Sequence, residues 1–284
     1  MPQPQEHAPV DPPSGSAVRV LGIYLFCLAR PVVAEGLEGT GIDERFPLEV
    51  RKLEGNLAAV SSCVPIEDFC GPEAEARMQD LQWLGPRAYR HEAVVEQMMR
   101  LSPVLPVRFG VLFSSPEQLA EFVSRHRAGI SNFLDSVMGL EEWAVKATLD
   151  RARAREHILS EALTPEDGKC AATPGIRYFQ EQRARAQAEK EVNRWLRTVC
   201  SRVVEGLSRP ASRARQRKVV PRGSEVRGGD PVLNWAFLVA EEQHAAFQLE
   251  MDRANADYKP YGLVLEASGP WPPYSFCPSF EENT

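Results

Sequence analysis

The C-terminal segment, residues 268–284, restricts the fold of this chain more than any other part of the sequence. Three prolines lie between residues 270 and 273, and a tryptophan, a tyrosine and a phenylalanine lie between residues 271 and 276. Each proline fixes its own φ angle and forces the preceding residue to be extended, so this segment cannot be a helix and makes a poor central strand. The sequence therefore predicts a pre-extended ribbon with three aromatic rings, which loses little entropy when it docks in a groove of its own chain or of a partner.

Cysteine spacing and charge limit the classes of protein that fit this sequence. The six cysteines include no Cys-x-x-Cys pair, which indicates neither a zinc site nor a dense disulfide framework, and scattered thiols are typical of the reducing cytosol. The net charge is −6, yet residues 151–228 hold 18 basic and 9 acidic residues. A basic segment within an acidic body favours acidic protein surfaces, or the chain's own body, as its partner.

The first 104 residues predict a disordered extension followed by a small α+β domain. Residues 1–17 contain five prolines and no lysine or arginine, which indicates a disordered extension rather than a secretory signal. Residues 18–104 combine apolar strand patterns with a helical stretch. Two helices are expected between residues 74 and 101, separated at Gly85-Pro86.

Residues 105–267 predict a second domain with the element order of a modified ferredoxin-like fold. The order is βαβ, a helical insertion over residues 151–231, and βαβ again. Its first strand is expected at residues 105–113, where apolar side chains alternate. The chain is therefore predicted to be an α+β protein of two domains, with the extended C-terminal tail, residues 268–284, docking on the first.

The insertion carries the excess positive charge and leaves a second interpretation open. Residues 209–231 are basic and rich in Pro, Gly and Ser, which predicts a mobile loop. A non-catalytic cytosolic protein that binds nucleic acid, or another partner, through this insertion is the alternative. Its basic residues are interleaved with acids and the sequence pI is 5.6, which favours a solvated helix face instead.

No constellation of residues indicates catalysis. His91-Glu92 begins like the helix motif of zinc proteases, but Val95 stands where the second metal-binding histidine is required. The chain has no nucleophile-elbow, phosphate-loop or dinucleotide-binding pattern. Glu142 lies four residues before Lys146 on one strand face, which is better explained by cross-strand charge pairing than by acid–base chemistry. We therefore predict no enzyme activity, no cofactor and no metal site.

Five segments, in order along residues 18–277, carry a family resemblance. They are Trp83–Glu96, Val104–Phe113, Gly139–Lys146, Asn234–Val239 and Gly269–Phe276. Together they resemble the gas vesicle GvpF/GvpL proteins, and the closing GPWPPYSF sequence is the most specific of the five. The departures are small: Val111 stands where threonine is usual, Ala144 where glycine is usual, and Ser268 where threonine often precedes the glycine.

The resemblance implies an accessory or minor structural protein of gas vesicles, the protein-walled, gas-filled compartments of prokaryotic cytoplasm. It implies contacts with the hydrophobic shell protein and with other accessory gas vesicle proteins, and a location in the cytoplasm at the vesicle. It also implies two α+β domains, one a modified ferredoxin-like fold, with the tail returning to the first. No catalytic residues are carried over, and no nucleic-acid or membrane partner is expected.

The segments that carry the resemblance supply the candidates for structural or partner contacts. These are Arg108, Phe109, Gly110, Glu142, Lys146, Asn234, Phe237, Gly269, Pro270, Trp271, Pro272, Pro273, Tyr274 and Phe276. Strand alternation places Arg108 and Lys146 on the helix-free face of the second sheet, where charged side chains are buried only if they are paired. We expect them to pair with carboxylates of the first domain or to await a partner.

Overall fold

The computed structural model describes residues 20–280, apart from 32–36, 38, 163–173 and 221–228. The expected N-terminal extension, residues 1–17, lies outside the described residues. Part of the expected basic loop, residues 221–228, also lies outside them.

The first half of the chain forms a five-stranded antiparallel sheet with three helices. The elements are β1 Leu21–Ala29, β2 Glu49–Leu53, β3 Leu57–Pro65, α1 Pro72–Gln79, α2 Leu81–Met99, β4 Val104–Pro106, β5 Leu112–Phe113 and α3 Pro116–Ser136. The strand order is β2-β3-β1-β4, and β5 also pairs with β1. All but the first residue of β1 is buried, as expected for an apolar central strand that is covered on both faces.

The second half forms a four-stranded antiparallel sheet. Its elements are β6 Leu140–Leu149, α4 Arg151–Ala162, α5 Pro174–Ser208, β7 Ala211–Gln216, β8 Asp230–Ala240, α6 His244–Tyr258 and β9 Leu263–Trp271. The strand order is β7-β8-β6-β9. One face packs against α4, α5 and α6 in a hydrophobic cluster that includes Val145, Val192, Phe237 and Phe247.

The two sheets share a hydrophobic core. Ala236 and Leu238, on the other face of β8, belong to the same cluster as Leu25 of β1 and Phe133 of α3. Phe276 of the C-terminal tail completes this cluster. The helix-free face of the second sheet is therefore partly covered by the chain itself.

The predicted strand at residues 105–113 is wrong in both its continuity and its sheet. The segment forms β4 and β5, which both pair with β1 in the first sheet. Pro106, the last residue of β4, has no N–H with which to continue the hydrogen-bonded pairing. Gly110, at φ 88°, then turns the chain between β4 and β5. The part of the chain that belongs to the first sheet therefore extends beyond residue 104, where the first domain was predicted to end.

The break between the first two helices lies at Asp80, not at Gly85-Pro86. Asp80 is extended and its carboxylate accepts a hydrogen bond from the N–H of Gln82 at 2.9 Å, which caps α2. Pro86 is accommodated within α2 because the carbonyl that loses its donor belongs to the exposed Gln82, where water can replace the bond.

Residues 211–216, predicted to be part of a mobile loop, form the edge strand β7. Five of these six residues are exposed, so the strand has no apolar alternation by which the sequence could reveal it. Its backbone pairing with β8 stabilises it instead.

The last strand, β9, runs to Trp271 and so includes the first four residues of the predicted tail. Proline has no N–H to donate to a neighbouring strand. Pro270 is tolerated because β9 is an edge strand, which has a neighbour on one side only. Among the described residues, no helix is long and apolar enough to cross a membrane.

Candidate functional site: the C-terminal clasp

We define the C-terminal clasp as residues 272–280 together with the side chains of both halves that hold them. Pro272 and Pro273 are buried, and Tyr274–Phe276 form a single 3-10 turn rather than a fully extended ribbon. The turn directs the Tyr274 side chain toward α2 of the first half, where its hydroxyl donates to Glu92 Oε2 at 3.1 Å. The Phe276 ring, only 4% exposed, enters the shared core.

Glu142 of β6 is the buried carboxylate of the clasp. Its side chain accepts the backbone N–H of Ser275 at 2.8 Å and the Ser275 hydroxyl at 2.6 Å. Arg217 lies 3.7 Å away, and Glu142 is 2% exposed. Burial raises the pKa of Glu142, and the two bonds from Ser275 oppose that rise. Glu142 and Lys146 therefore do not act together: the Glu142 carboxylate binds the tail, and the charged group near it is Arg217, which follows β7.

His91 of α2 connects the tail to the first sheet. The Tyr24 hydroxyl, which accepts the N–H of Gly110, lies 2.8 Å from His91 Nδ1 and donates to it. The proton then belongs on Nε2, which faces the Val107 carbonyl at 3.0 Å and the Tyr274 hydroxyl oxygen at 3.3 Å. Because His91 is 3% exposed, burial lowers its pKa to about 4.

This buried histidine predicts a loss of stability in acid. The pKa of His91 is lower in the folded chain than in the unfolded chain, so the unfolded chain binds more protons between about pH 6.5 and pH 4. Lowering the pH through this window should reduce the free energy of unfolding by about 3 kcal/mol through His91 alone. Urea unfolding at several pH values measures this dependence.

His91→Gln is the matched variant, because glutamine keeps hydrogen-bonding groups and does not titrate. Burial raises the pKa of Glu92 and of Glu142, so these carboxyls favour the folded state at low pH and oppose the effect. They are present in both chains, and the difference between the two pH profiles therefore isolates His91. Parallel profiles would contradict a buried neutral imidazole.

Two arginines of β7 hold the tail from the second half. Arg215 donates to the carbonyl oxygen of Ser275. The Arg213 guanidinium lies 5.2 Å from the centre of the Phe276 ring, a cation–π distance. The sequence interpretation missed both residues because it placed them in a loop. The alternation of Arg213, Arg215 and Arg217 with smaller residues was the one available signal.

Arg108 and Lys146 do not share a sheet face as predicted. Arg108 lies in the loop between β4 and β5, and Lys146 lies on β6 opposite Asn234 and Glu266. Both are exposed, and within the described ranges no ion pair joins either to a carboxylate. Whether they await a partner stays a prediction.

The other predicted candidates have structural contacts of their own. Phe109 packs against Tyr24 at a centroid distance of 5.9 Å, and Phe237 is fully buried on the helix-covered side of β8. The Asn234 side-chain amide donates to the carbonyl of Lys218 at 2.8 Å. These contacts position strands and loops rather than forming a second site.

Gly269 and Trp271 mark where the tail leaves the second sheet. A Cβ on Gly269 would lie 2.8 Å from the carbonyl oxygen of Glu142, so this close approach requires glycine. The peptide bond between Gly269 and Pro270 is cis. Trp271 is 38% exposed, and its indole N–H donates to Ser268 Oγ at 3.2 Å. Two of the three rings therefore dock, and the expectation that Trp271 docks with them is wrong.

The fold and the clasp together define an α+β protein of two antiparallel sheets whose halves are joined by the chain's own C-terminus. Among the described side chains, no cluster of three or more His, Cys, Asp or Glu residues is placed to hold a metal ion. The sequence profile of the family described as "Gas vesicle synthesis protein GvpL/GvpF" matches residues 22–278. The chain therefore belongs to the GvpL/GvpF family, which confirms the resemblance seen in the sequence.

Individual relatives agree with this assignment. The chain is 28% identical to gas vesicle protein L of Streptomyces sp. (strain CB03234), over 92% of this chain and 94% of that protein. It is 24% identical to gas vesicle protein L1 of Halobacterium salinarum, over 90% of each.

Solved structures share the fold. The crystal structure of the gas vesicle protein GvpF from Anabaena sp. PCC7120 superposes with a TM-score of 0.65 at 15% identity, covering 93% of this chain and 99% of that one. GvpF from Microcystis aeruginosa gives 0.64 at 17% identity, covering 91% and 99%. The mixed α+β architecture with two antiparallel sheets is thus the architecture of GvpF.

Proposed function

We propose that this chain is an accessory or minor structural protein of gas vesicle assembly that acts at the vesicle in the cytoplasm. In this role it contacts the hydrophobic shell protein and other accessory gas vesicle proteins. The observation that carries the proposal is the family match over residues 22–278, together with the shared fold of two GvpF proteins.

A non-catalytic role is part of the proposal and is supported by how the buried polar groups are used. His91 and Glu142 have shifted pKa values, which in an enzyme often mark an active site. Here both are engaged by Tyr24, Val107 and Ser275 of the same chain. They hold the clasp, which fixes how the two halves present their surfaces to partners.

The second half, in our proposal, is a ferredoxin-like unit whose first strand is β6 and whose second is β7. The connectivity β6, α4 and α5, β7, β8, α6, β9 with the order β7-β8-β6-β9 supports this assignment. The first sheet has the corresponding order β2-β3-β1-β4. We place the boundary between the two units near Gly139, after α3, rather than near residue 104.

The proposal predicts that gas vesicles require this chain. The test reconstructs the gas vesicle gene cluster of the source organism in a host without vesicles, with and without this chain. We expect light-scattering vesicles that collapse under pressure only when the chain is present, and co-purification of the shell protein with the tagged chain. Normal vesicle yield without the chain, and no retained shell protein, would refute the assembly role.

A further inference from the structure

A groove of about 690 Å³ lies beside the clasp, between the first sheet and the end of β7. Its apolar lining comes from the first half and from the tail, and the second half contributes polar and basic side chains. The half-buried members of this lining include Val107, Val111, Phe113, Phe122, Cys277 and Phe280. Apolar surface that remains partly accessible between two units is typical of a binding groove.

The rim of the groove is basic. Arg108 projects from the loop between β4 and β5, Arg215 belongs to the end of β7, and Arg217 and Lys218 directly follow that strand. All four are exposed, and no aspartate or glutamate is among the residues that line the groove. The clasp engages two of the four, because Arg217 lies 3.7 Å from the Glu142 carboxylate and Arg215 donates to the carbonyl oxygen of Ser275. Arg108 and Lys218 have no ion pair among the described residues, and the groove therefore presents their positive charge.

We propose that this groove binds a short extended segment of a partner protein, in which acidic residues flank one apolar side chain. The apolar side chain would enter the lining, and the flanking carboxylates would meet Arg108 and Lys218 on the rim. This inference concerns binding in solution, so it can fail while the assembly role holds, or hold while that role fails.

The geometry favours an extended segment over a folded domain. A volume of about 690 Å³ is within the range, roughly 300–1,000 Å³, that small ligands occupy, so it admits a few side chains. The end of β7 lines the groove, and β7 is an edge strand of its sheet. An edge strand offers backbone groups to an incoming extended chain, which is the basis of strand addition.

The aromatic residues of the groove favour a protein segment over single-stranded nucleic acid. Phe122 lies 5.5 Å from Phe113 and 5.8 Å from Phe280, and Phe280 lies 4.9 Å from His126, measured between ring centroids. These rings pack on one another, whereas base stacking requires a free ring face. The chain's own Glu281 and Glu282 follow Phe280 directly and are the competing occupant.

The test uses a fluorescein-labelled pentapeptide, two glutamates on each side of one leucine, as the probe for fluorescence anisotropy with the purified full chain. A peptide with lysines in place of the glutamates is its counterpart. We expect saturable binding of the acidic peptide alone, which weakens by about ten-fold as the salt concentration rises to about 0.5 M. Equal binding of both peptides overturns the proposal.

Charge-reversal variants distinguish binding in the groove from attraction by the net charge of the chain. Arg108→Glu with Lys218→Glu should weaken binding by about ten-fold, because both side chains lie on the rim and, among the described residues, neither side chain forms a hydrogen bond or ion pair with the clasp. Arg197→Glu with Lys259→Glu makes the same change of net charge at exposed positions on α5 and after α6, and should change binding by less than about two-fold. Equal losses in the two pairs overturn the proposal, since they indicate non-specific attraction.

Three further measurements test the apolar lining and the occupant of the groove. Val111→Ser should weaken binding several-fold because it removes apolar lining, and unchanged thermal unfolding of each variant shows that the fold is intact. Binding of the probe only after deletion of residues 281–284 overturns the proposal in favour of the chain's own end. An oligouridine that displaces the peptide at equal concentration overturns it in favour of nucleic acid.

Discussion

A chain that ends at Trp271 is expected to melt at least about 10 °C below the full chain. The truncation keeps all of β9 and removes the clasp segment together with residues 281–284. Loss of the buried Phe276 ring should cost about 3–5 kcal/mol, the usual range for removing a buried aromatic side chain. Glu142 also loses both donors from Ser275, which costs about 1–3 kcal/mol more if the carboxylate stays buried. At about 2–4 °C per kcal/mol, these losses give a drop of this size.

Scanning calorimetry and binding of a hydrophobic dye measure this effect. Exposure of the core surface that Phe276 covers should increase dye fluorescence in the truncated chain. A chain ending at Phe280 is the control, because it keeps every clasp contact described above. If the chain ending at Trp271 melts like this control, the tail does not stabilise the fold, and its rings serve a partner instead.

The second large effect is expected from Glu142→Ala, at about 3 kcal/mol of unfolding free energy. The variant removes a carboxylate that accepts two hydrogen bonds, and bonds to a charged group are worth about 1.5–3 kcal/mol each. Ser275→Ala removes only the hydroxyl bond and should cost about 2 kcal/mol. Urea unfolding of both single variants and the double variant gives the coupling energy between the two side chains.

The expected coupling is at least about 1 kcal/mol, because the side chains are 2.6 Å apart in a buried site. Glu266→Ala is the matched control: it changes an exposed carboxylate on the same sheet face, opposite Lys146, and should cost less than about 0.5 kcal/mol. Additive losses from the Glu142 and Ser275 variants would show that this bond does not hold the tail.

Local patterns in the sequence are sufficient to account for several elements. Ser115 accepts the N–H of Gln118 at 3.3 Å and begins α3 before Pro116, and Gly139, at φ 69°, follows the end of that helix. Apolar residues alternate around Val145, and this local pattern matches β6, whose Val145 side packs against the helices. Caps and periodicity act over a few residues, so the sequence contains their whole cause.

Strand pairing was decided only by the tertiary structure. The alternation in residues 105–113 predicted one strand of the second sheet. In the structure this segment forms β4 and β5, and both pair with β1 of the first sheet. Residues 211–216 look like a loop, yet β8 provides a partner for their backbone. A strand acquires its hydrogen bonds from a distant segment, and the composition of either segment alone does not identify that partner.

The clasp shows the same division between sequence and structure. The prolines and aromatic rings of residues 268–276 determined a stiff, non-helical segment that is able to dock. The sequence did not determine that Glu142 binds Ser275, that His91 lies beneath Tyr274, or that Trp271 remains partly exposed. A carboxylate on a strand looks the same in the sequence whether it pairs with a neighbouring strand or with a distant segment of the chain. Only the packing of two sheets that are far apart in sequence removes Glu142 from water and leaves the tail as its partner.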